Sequence, residues 1–260
     1  MGTETFRRRL LAGEPLVGTL LTVAEPVVAD ALAGCGFDWL FVDAEHGALT
    51  VRDVQTAVQV VGDRCATLVR VAENAPPRIA AALDTGCAGV IVPQVNSAAD
   101  ARRAVAAARY PPAGSRSVGI GRAHGYGRTF AEYLARANDE VCVVVQAEHR
   151  LAAEHIADIA AVPGVDAVFV GPYDLSGSLD ALGRLDDPAV EGAVRGVLAA
   201  CATAGLPVGI FVGTVDAAAA RREQGFGLLA VGSDVSHLIG AAAATAAALC
   251  GGAGSRSTPG

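Results

Sequence analysis

Two acidic residues, Glu148 and Asp174, each follow an apolar run by only a few positions, in the segments VVVQAEH and VFVGPYD. Carboxylate oxygens are ligands that a hard cation such as Mg²⁺ prefers, and one or two carboxylates often suffice because water and substrate oxygens complete the coordination. Each carboxylate could instead cap the helix that follows it. The repeated placement, with Gln146 beside Glu148, favours a divalent-metal site.

A histidine and an arginine also lie at or just after the end of apolar runs. His46 lies in the segment DAEHG after another apolar run, and an imidazole with a pKa of ~6.5 can act as a general base near neutral pH. Arg70 closes the run TLVRV, where it must find an anionic partner because it does not lose its charge. That partner is either a structural one, Glu45 or Glu73, or an oxyanion of a substrate.

Lysine is absent from the chain, since all 20 basic residues are arginines. Without a lysine amine, the protein forms no Schiff base with a carbonyl substrate and anchors no pyridoxal phosphate. The net charge of −7 also argues against the basic surface that nucleic-acid binding requires. The candidate residues therefore indicate chemistry on a small molecule.

Eight short apolar runs alternate with helical segments along the chain. Continuous apolar runs are typical of strands that are buried on both faces. The predicted strands cover 16–23, 38–43, 66–71, 88–93, 141–147, 165–170, 207–212 and 227–232, and the predicted helices cover 26–34, 50–61, 76–85, 97–109, 150–161, 188–204, 215–224 and 235–250. Eight such units predict an α/β fold with a single domain, a (β/α)8 TIM barrel over residues 1–250. An open, doubly wound sheet is the alternative, but its usual G-x-G-x-x-G motif does not follow the first strand, where the chain reads TVAEPVVAD.

In such a barrel the carboxyl ends of the strands meet at one rim, and barrel enzymes carry out their chemistry there. The predicted strands bring Glu148, Asp174, His46 and Arg70 to that rim. A long insert over residues 110–139 interrupts the alternation between the fourth helix and the fifth strand. A connection of this length is usually functional or lies at a subunit contact.

The composition predicts a cytoplasmic protein without a membrane span. No run reaches ~18 apolar residues, and Glu14 and Pro15 interrupt the first apolar segment too early for a signal peptide. The six cysteines are evenly spread and are expected to be reduced core residues. Segment 235–250 is apolar on nearly all sides, which predicts a homo-oligomer that covers it. The tail 251–260 is expected to be disordered.

Six segments of the chain, taken in order, carry a family resemblance. They read WLFVDAEHG, LVRV, LDTGCAGVIVPQV, RYPPAGSRSVGIGRAHGYG, VVQAEH and VDAVFVGPYDLSGSL. Together they resemble the HpcH/HpaI family of class II, metal-dependent 2-keto-3-deoxy-sugar-acid aldolases, and the resemblance extends over residues 5–250. It implies a (β/α)8 barrel, usually assembled as a hexamer, in which a pyruvate-derived enolate is bound to Mg²⁺, Mn²⁺ or Co²⁺.

The resemblance also implies catalytic roles for individual residues. Glu148 and Asp174 would ligate the metal. His46 would be the base, and Asp84 would raise its basicity. Arg70 would stabilise the negative charge that develops on the substrate.

Substrate contacts follow from the same resemblance. Gln146, Tyr173 and Asp174 would contact the pyruvate part of the substrate. Tyr173 stands where many members of the family carry a smaller residue, and Ala147 stands where they carry a larger apolar one. Both positions bear on the size of the substrate.

These roles predict a divalent-metal-dependent aldolase that cleaves or forms the carbon–carbon bond of a 4-hydroxy-2-keto acid, with pyruvate and an aldehyde as the other reactants. Cleavage needs an electron sink at the keto group, and in a chain without lysine only a metal ion can supply it. One alternative is a citrate-lyase-like CoA-ester lyase. Another is an enzyme that uses the same enolate for decarboxylation and carbon–carbon bond formation. A third is an inactive barrel that serves as a binding protein.

Overall fold

The computed structural model describes residues 4–250 of the 260, and its eight parallel strands close into a barrel in chain order. The strands are β1 Leu16–Leu21, β2 Trp39–Asp43, β3 Ala66–Arg70, β4 Gly89–Val92, β5 Cys142–Ala147, β6 Ala167–Val170, β7 Val208–Val212 and β8 Leu228–Ser233. The predicted (β/α)8 barrel is thereby confirmed. The predicted disordered tail lies outside the described residues.

The interior of the barrel is filled by aromatic and aliphatic side chains. The rings of Trp39 and Phe41 stack with centroids 5.8 Å apart, and Phe169 meets Phe41 edge-on at 5.5 Å. Gly18 makes room for Trp39, because a methyl group at Gly18 would lie 2.7 Å from the indole carbon Cδ2. Phe6, from the first helix, belongs to the same buried cluster.

Twelve α-helices surround this barrel within residues 4–250, and every segment predicted as helical contains one. They are α1 Phe6–Leu11, α2 Pro26–Ala33, α3 Val51–Val61, α4 Pro76–Asp84, α5 Ala98–Ala108, α6 Phe130–Glu140, α7 Arg150–Glu154, α8 Ile156–Ala160, α9 Pro172–Ser178, α10 Pro188–Thr203, α11 Val215–Glu223 and α12 Asp234–Cys250. The predicted helix over 150–161 is two helices, because the helical conformation is interrupted at His155. The ring Nδ1 of His155 lies 3.0 Å from the carbonyl oxygen of Asn96. The helices α1, α6 and α9 were not expected from the sequence.

The insert over 110–139 is ordered and packs at the amino end of the barrel. It contains a short 3-10 helix and all of α6 except its last residue. The guanidinium of Arg116 is completely buried, lies 4.5 Å from the ring centre of Tyr110, and donates a hydrogen bond of 2.6 Å from Nη2 to Oδ1 of Asp84. Because Asp84 ends α4 just before β4 begins, this contact holds the insert away from the carboxyl ends of the strands.

The last helix, α12, leaves the barrel with its apolar side chains in solvent. Residues 235–249 are all exposed, and the exposed fractions of Leu238 and Leu249 are 71% and 82%. Beyond its first turn, where His237 contacts Thr19 and Phe37, the helix is therefore not covered by residues 4–250 of its own chain. Its start is fixed by the buried Asp234, which accepts hydrogen bonds from the main-chain N–H groups of Thr22 and Val23 at 2.8 Å each.

The five cysteines whose side chains are described are free thiols. Cys87, Cys142 and Cys201 are buried, as expected. Cys35 is exposed at the end of α2, so the expectation that the cysteines are core residues is wrong there. Among residues 4–250, no helix combines the length and the apolar character needed to cross a bilayer.

Candidate active site

Parallel pairing brings the candidate side chains to the carboxyl rim of the barrel. Asp43 and Arg70 are the last residues of β2 and β3 and are register partners. Gln146 lies next to last in β5, and the N–H of Gly171, just after β6, donates to the carbonyl of Ala147. The register of neighbouring strands therefore sets which of these side chains meet.

Arg70 pairs chiefly with a carboxylate from the neighbouring strand. Its Nε and Nη2 donate to Oδ1 and Oδ2 of Asp43 at 3.0 and 2.7 Å, which is a two-point, fork-like contact. Its Nε also lies 3.2 Å from Oε2 of Glu45. Glu73, the other suggested partner, pairs instead with Arg78 at the surface. Arg70 is thus held rigidly at the rim and is 8% exposed.

Asp43 also shapes the loop that carries the histidine. Its Oδ1 accepts hydrogen bonds of 3.1 Å from the N–H groups of Glu45 and His46. The imidazole of His46 is 67% exposed, and its Nε2 lies 3.9 Å from Oε2 of Glu45. One buried carboxylate therefore positions both the arginine and the backbone of the histidine, while the imidazole stays accessible to a substrate.

Glu148 is a buried carboxylate held by two donors. The main-chain N–H of Gln94 donates to its Oε1 at 2.7 Å, and the side-chain amide of Gln146 donates to its Oε2. Burial, together with the nearby negative charges of Glu45 and Asp174, raises the pKa of Glu148 to about 7. This carboxylate lacks the positive charge that would stabilise its ionised form.

Asp174 lies in the first turn of α9 and is exposed. Its charge is near enough to raise the pKa of Glu45 as well, where burial is again the main cause. Tyr173, the preceding residue, is 53% exposed. Both side chains are therefore exposed, whereas Glu148 is buried.

Negative charge dominates this rim. Four carboxylates act on Arg70 or on one another, and they belong to Asp43, Glu45, Glu148 and Asp174. Two buried acceptors, Oε2 of Glu45 and Oε1 of Gln146, have no hydrogen-bond partner. A divalent cation fits such a site, because it supplies positive charge and takes oxygen ligands.

The protein supplies only part of a coordination shell. Within residues 4–250, no three histidine, cysteine, aspartate or glutamate side chains converge as a ready-made metal site. Glu148 and Asp174 would provide two carboxylates, and water and substrate oxygens would take the remaining positions, as is common for Mg²⁺. The residues present fit a cation of this kind.

Asp84 is the one predicted catalytic residue that the chain does not bring to this rim. It ends α4 at the opposite end of the barrel and pairs there with Arg116. Within one chain it does not approach His46. An effect of Asp84 on a histidine would need a second copy of the protein.

Three contributors to the site were not predicted as site residues. Asp43 and Glu45 stand beside His46 in the sequence, but their contacts with Arg70 depend on the register between β2 and β3. Gln94 acts through its backbone, which has a positive φ of 55°. No side-chain pattern in the sequence signals a main-chain donor.

The chain is similar in sequence to known proteins. A family model described as HpcH/HpaI aldolase/citrate lyase matches residues 17–241. A protein of Salmonella dublin named 4-hydroxy-2-oxo-heptane-1,7-dioate aldolase is 40% identical over 247 residues, which are 94% of each chain.

Two solved structures share the whole barrel. One is an HpcH/HpaI aldolase/citrate lyase family protein from Burkholderia cenocepacia, which has a TM-score of 0.91 at 38% identity and covers 94% of this chain and 98% of its own. The other is an HpcH/HpaI aldolase from Desulfitobacterium hafniense, which has a TM-score of 0.87 at 32% identity and covers 98% of both chains.

The packing at Gly171 predicts a test of the metal site. A methyl group there would lie 2.9 Å from Cβ of Glu148 and 2.8 Å from Nε2 of Gln146. We expect Gly171→Ala to displace the carboxylate and to weaken Mn²⁺ binding, measured by titration calorimetry, by roughly 10–100-fold. Gly213→Ala, after β7 at the same rim, meets no atom within 4 Å and should bind Mn²⁺ like the wild type. Equal affinities for both variants would contradict the assignment of Glu148.

Proposed function

Since the chain belongs to the HpcH/HpaI aldolase/citrate lyase family, we propose that it is a divalent-metal-dependent aldolase that cleaves or forms the carbon–carbon bond of a 4-hydroxy-2-keto acid. Aldolases of this type are generally dependent on a divalent metal ion. The observation that carries the proposal is the buried Glu148 beside Asp174, whose charges Arg70 alone does not balance. Pyruvate and an aldehyde are the proposed products.

Glu148 and Asp174 are the residues that would hold the metal, which is Mg²⁺, Mn²⁺ or Co²⁺. When bound, the metal polarises the keto group of the substrate as a Lewis acid. Gln146, whose Oε1 is buried without a hydrogen-bond partner among residues 4–250, and Tyr173 would contact the pyruvate part. The exposed ring of Tyr173 stands beside Asp174 and would restrict the far end of the substrate.

His46 and Arg70 would have different roles in the cleavage reaction. In cleavage, His46 takes the proton of the 4-hydroxyl, the bond between C3 and C4 breaks, and the oxygen at C4 becomes the aldehyde carbonyl. The electron pair moves to the keto oxygen and gives an enolate. Among the described residues, the hydrogen bonds of Arg70 use Nε and Nη2, so Nη1 can donate to this developing negative charge. Protonation of the enolate at C3 gives pyruvate.

A CoA-ester lyase is the second candidate, because the matching family model includes citrate lyases. Such an enzyme must neutralise the phosphates of the CoA tail. The arginines of the insert do not serve this purpose within one chain, because the insert packs at the amino end of the barrel. Arg116 is buried against Asp84. Arg122 and Arg128 donate to main-chain carbonyls, and Arg136 pairs with Glu140. The aldolase is therefore the better supported function. Release of pyruvate from a panel of 4-hydroxy-2-keto acids, compared with cleavage of CoA esters, distinguishes the two, and the same panel with oxaloacetate tests for a decarboxylase.

We also propose that the protein acts in the cytoplasm on small molecules. Cys87, Cys142 and Cys201 are buried as small apolar side chains, which suits a reducing compartment. The net charge of −7 does not favour a nucleic-acid partner.

The first prediction of this proposal concerns the electron sink. Activity should be lost after thorough chelation and should return on addition of Mg²⁺ or Mn²⁺, because Glu148 and Asp174 then hold the metal again. Borohydride with substrate should leave activity unchanged, since the chain has no lysine to reduce onto a substrate. Full activity in the chelated protein, measured as pyruvate release, would refute the metal-dependent mechanism.

The second prediction separates the catalytic roles. Arg70→Lys should lower kcat by ~10²–10³-fold, because lysine keeps the charge but lacks the planar fork. The exposed Arg78→Lys is the matched control and should retain the wild-type kcat. His46→Ala should lower kcat while the Mn²⁺ affinity is retained, whereas Glu148→Ala should weaken Mn²⁺ binding and recover in part at high Mg²⁺. Loss of Mn²⁺ binding in His46→Ala but not in Glu148→Ala would show that the ligand assignment is wrong.

The third prediction concerns assembly, for which we propose that a second copy of the chain covers α12. A shallow apolar groove on this helix is lined by Leu238, Ala241, Ala242, Thr245, Ala246 and Leu249. Its small side chains would let a second helix approach closely. The resemblance to the family makes a hexamer the expected assembly.

Light scattering should therefore give a mass well above the 26.1 kDa of one chain. The double variant Leu238→Glu, Ala242→Glu should shift the protein to smaller species, because it places charge in the groove. Leu11→Glu, at another exposed apolar residue, should not. A wild-type monomer at micromolar concentration would contradict this proposal.

A further inference from the structure

Gln94 has an unusual backbone conformation in the loop between β4 and α5. Its φ is 55°, in the left-handed region that non-glycine residues seldom adopt. The side chain is exposed, whereas the flanking Pro93 and Val95 are buried. An exposed side chain of this kind does not explain why the backbone keeps an unfavourable conformation.

The hydrogen bond of the main-chain N–H of Gln94 explains this backbone conformation. The N–H of Gln94 donates at 2.7 Å to Oε1 of Glu148. Tyr126 and Asp180 are the other non-glycine residues with positive φ within residues 4–250, and their N–H groups donate to the carbonyls of Gly121 and Gly177 in local turns. Gln94 is the member of this group whose N–H meets a carboxylate from a different strand end.

A main-chain donor is well suited to fix a metal-ligating carboxylate. A hydrogen bond to an ionised carboxylate is stronger than one between neutral groups, and the oxygen keeps another lone pair for a cation. The amide of Gln146 holds Oε2 of Glu148, and Gly171 leaves no space behind the carboxylate. Because the N–H of Gln94 holds Oε1 as well, both oxygens of the carboxylate and the space behind it are constrained.

We infer that Gln94 is a positioning residue, whose left-handed backbone directs its N–H to Glu148 and thereby holds this carboxylate in the orientation that binds the metal. The inference rests on the proposed function, because it takes Glu148 as a metal ligand. It assigns the effect to the backbone of Gln94 and not to its side chain.

The test compares Mn²⁺ binding, by titration calorimetry, in variants that differ in their tolerance of a left-handed backbone. Gln94→Val should raise the Kd for Mn²⁺ by roughly 10–100-fold, because a β-branched residue strongly disfavours this conformation. Gln94→Gly and Gln94→Asn should bind Mn²⁺ close to the wild type, since both residues adopt positive φ readily. Should the valine variant not fold, Gln94→Thr, which is also β-branched but keeps a polar group, is expected to weaken binding in the same direction. Gln94→Ala keeps the main-chain N–H and an unbranched side chain, so it should bind Mn²⁺ close to the wild type.

A matched control introduces a β-branched residue at another position with a left-handed backbone. Tyr126→Val introduces valine at a φ of 58° in the insert at the amino end of the barrel, and it should leave the Kd for Mn²⁺ unchanged. Wild-type affinity in Gln94→Val or Gln94→Thr would overturn the inference. So would an equal loss of affinity in the glycine and asparagine variants, because that result would assign the effect to the side chain. A wild-type protein that binds no Mn²⁺ would overturn the proposed function, and this inference with it.

Discussion

The accumulation of negative charge at the carboxyl rim is the constraint on which the rest of the site depends. Asp43, Glu45, Glu148 and Asp174 share this rim with the guanidinium of Arg70. Arg70 is committed to Asp43 by a two-point contact, so Glu148 gains little from it, and burial raises the pKa of Glu148 to about 7. A bound divalent cation would remove this penalty and would at the same time supply the Lewis acid that carbon–carbon cleavage requires.

The two ends of the barrel serve different purposes. At the carboxyl end, strand register and main-chain donors hold the reactive groups, and the buried Asp234 secures the loop after β1 where α12 begins. At the amino end, Arg116 packs between tyrosine rings and ties the insert to Asp84. This division is common in (β/α)8 barrels, in which one face carries the chemistry and the other contributes stability.

The fold was predictable because its strands are buried on both faces. The run VCVVVQA predicts a strand over 141–147, and β5 spans Cys142–Ala147 with every residue buried. The helix α9 was missed because PYDLSGS is rich in residues that disfavour helices. It forms where the buried Leu175 packs against the barrel, and such tertiary support cannot be read from local propensity.

The site was predictable as a set of residues but not as a set of contacts. Glu45 and Glu73 were the structural partners suggested for Arg70, with a substrate oxyanion as the alternative. Its main partner is Asp43, because pairing across two strands depends on a register that the sequence does not display. Gln94 was not predicted as a site residue, because it contributes a main-chain N–H whose direction depends on a backbone angle. The resemblance linked Asp84 to His46, although a helix end and a strand end lie at opposite faces of one barrel.

We expect the excess carboxylates of the rim to bind a divalent cation through Glu148 and Asp174. A crystal structure of the protein with Mn²⁺ and pyruvate, with the metal located by its anomalous scattering, tests this claim most directly. We expect one strong anomalous peak in contact with carboxylate oxygens of Glu148 and Asp174, with pyruvate oxygens completing the coordination. A peak bound instead by Asp43 and Glu45, or no peak at the rim when pyruvate is present, would contradict it.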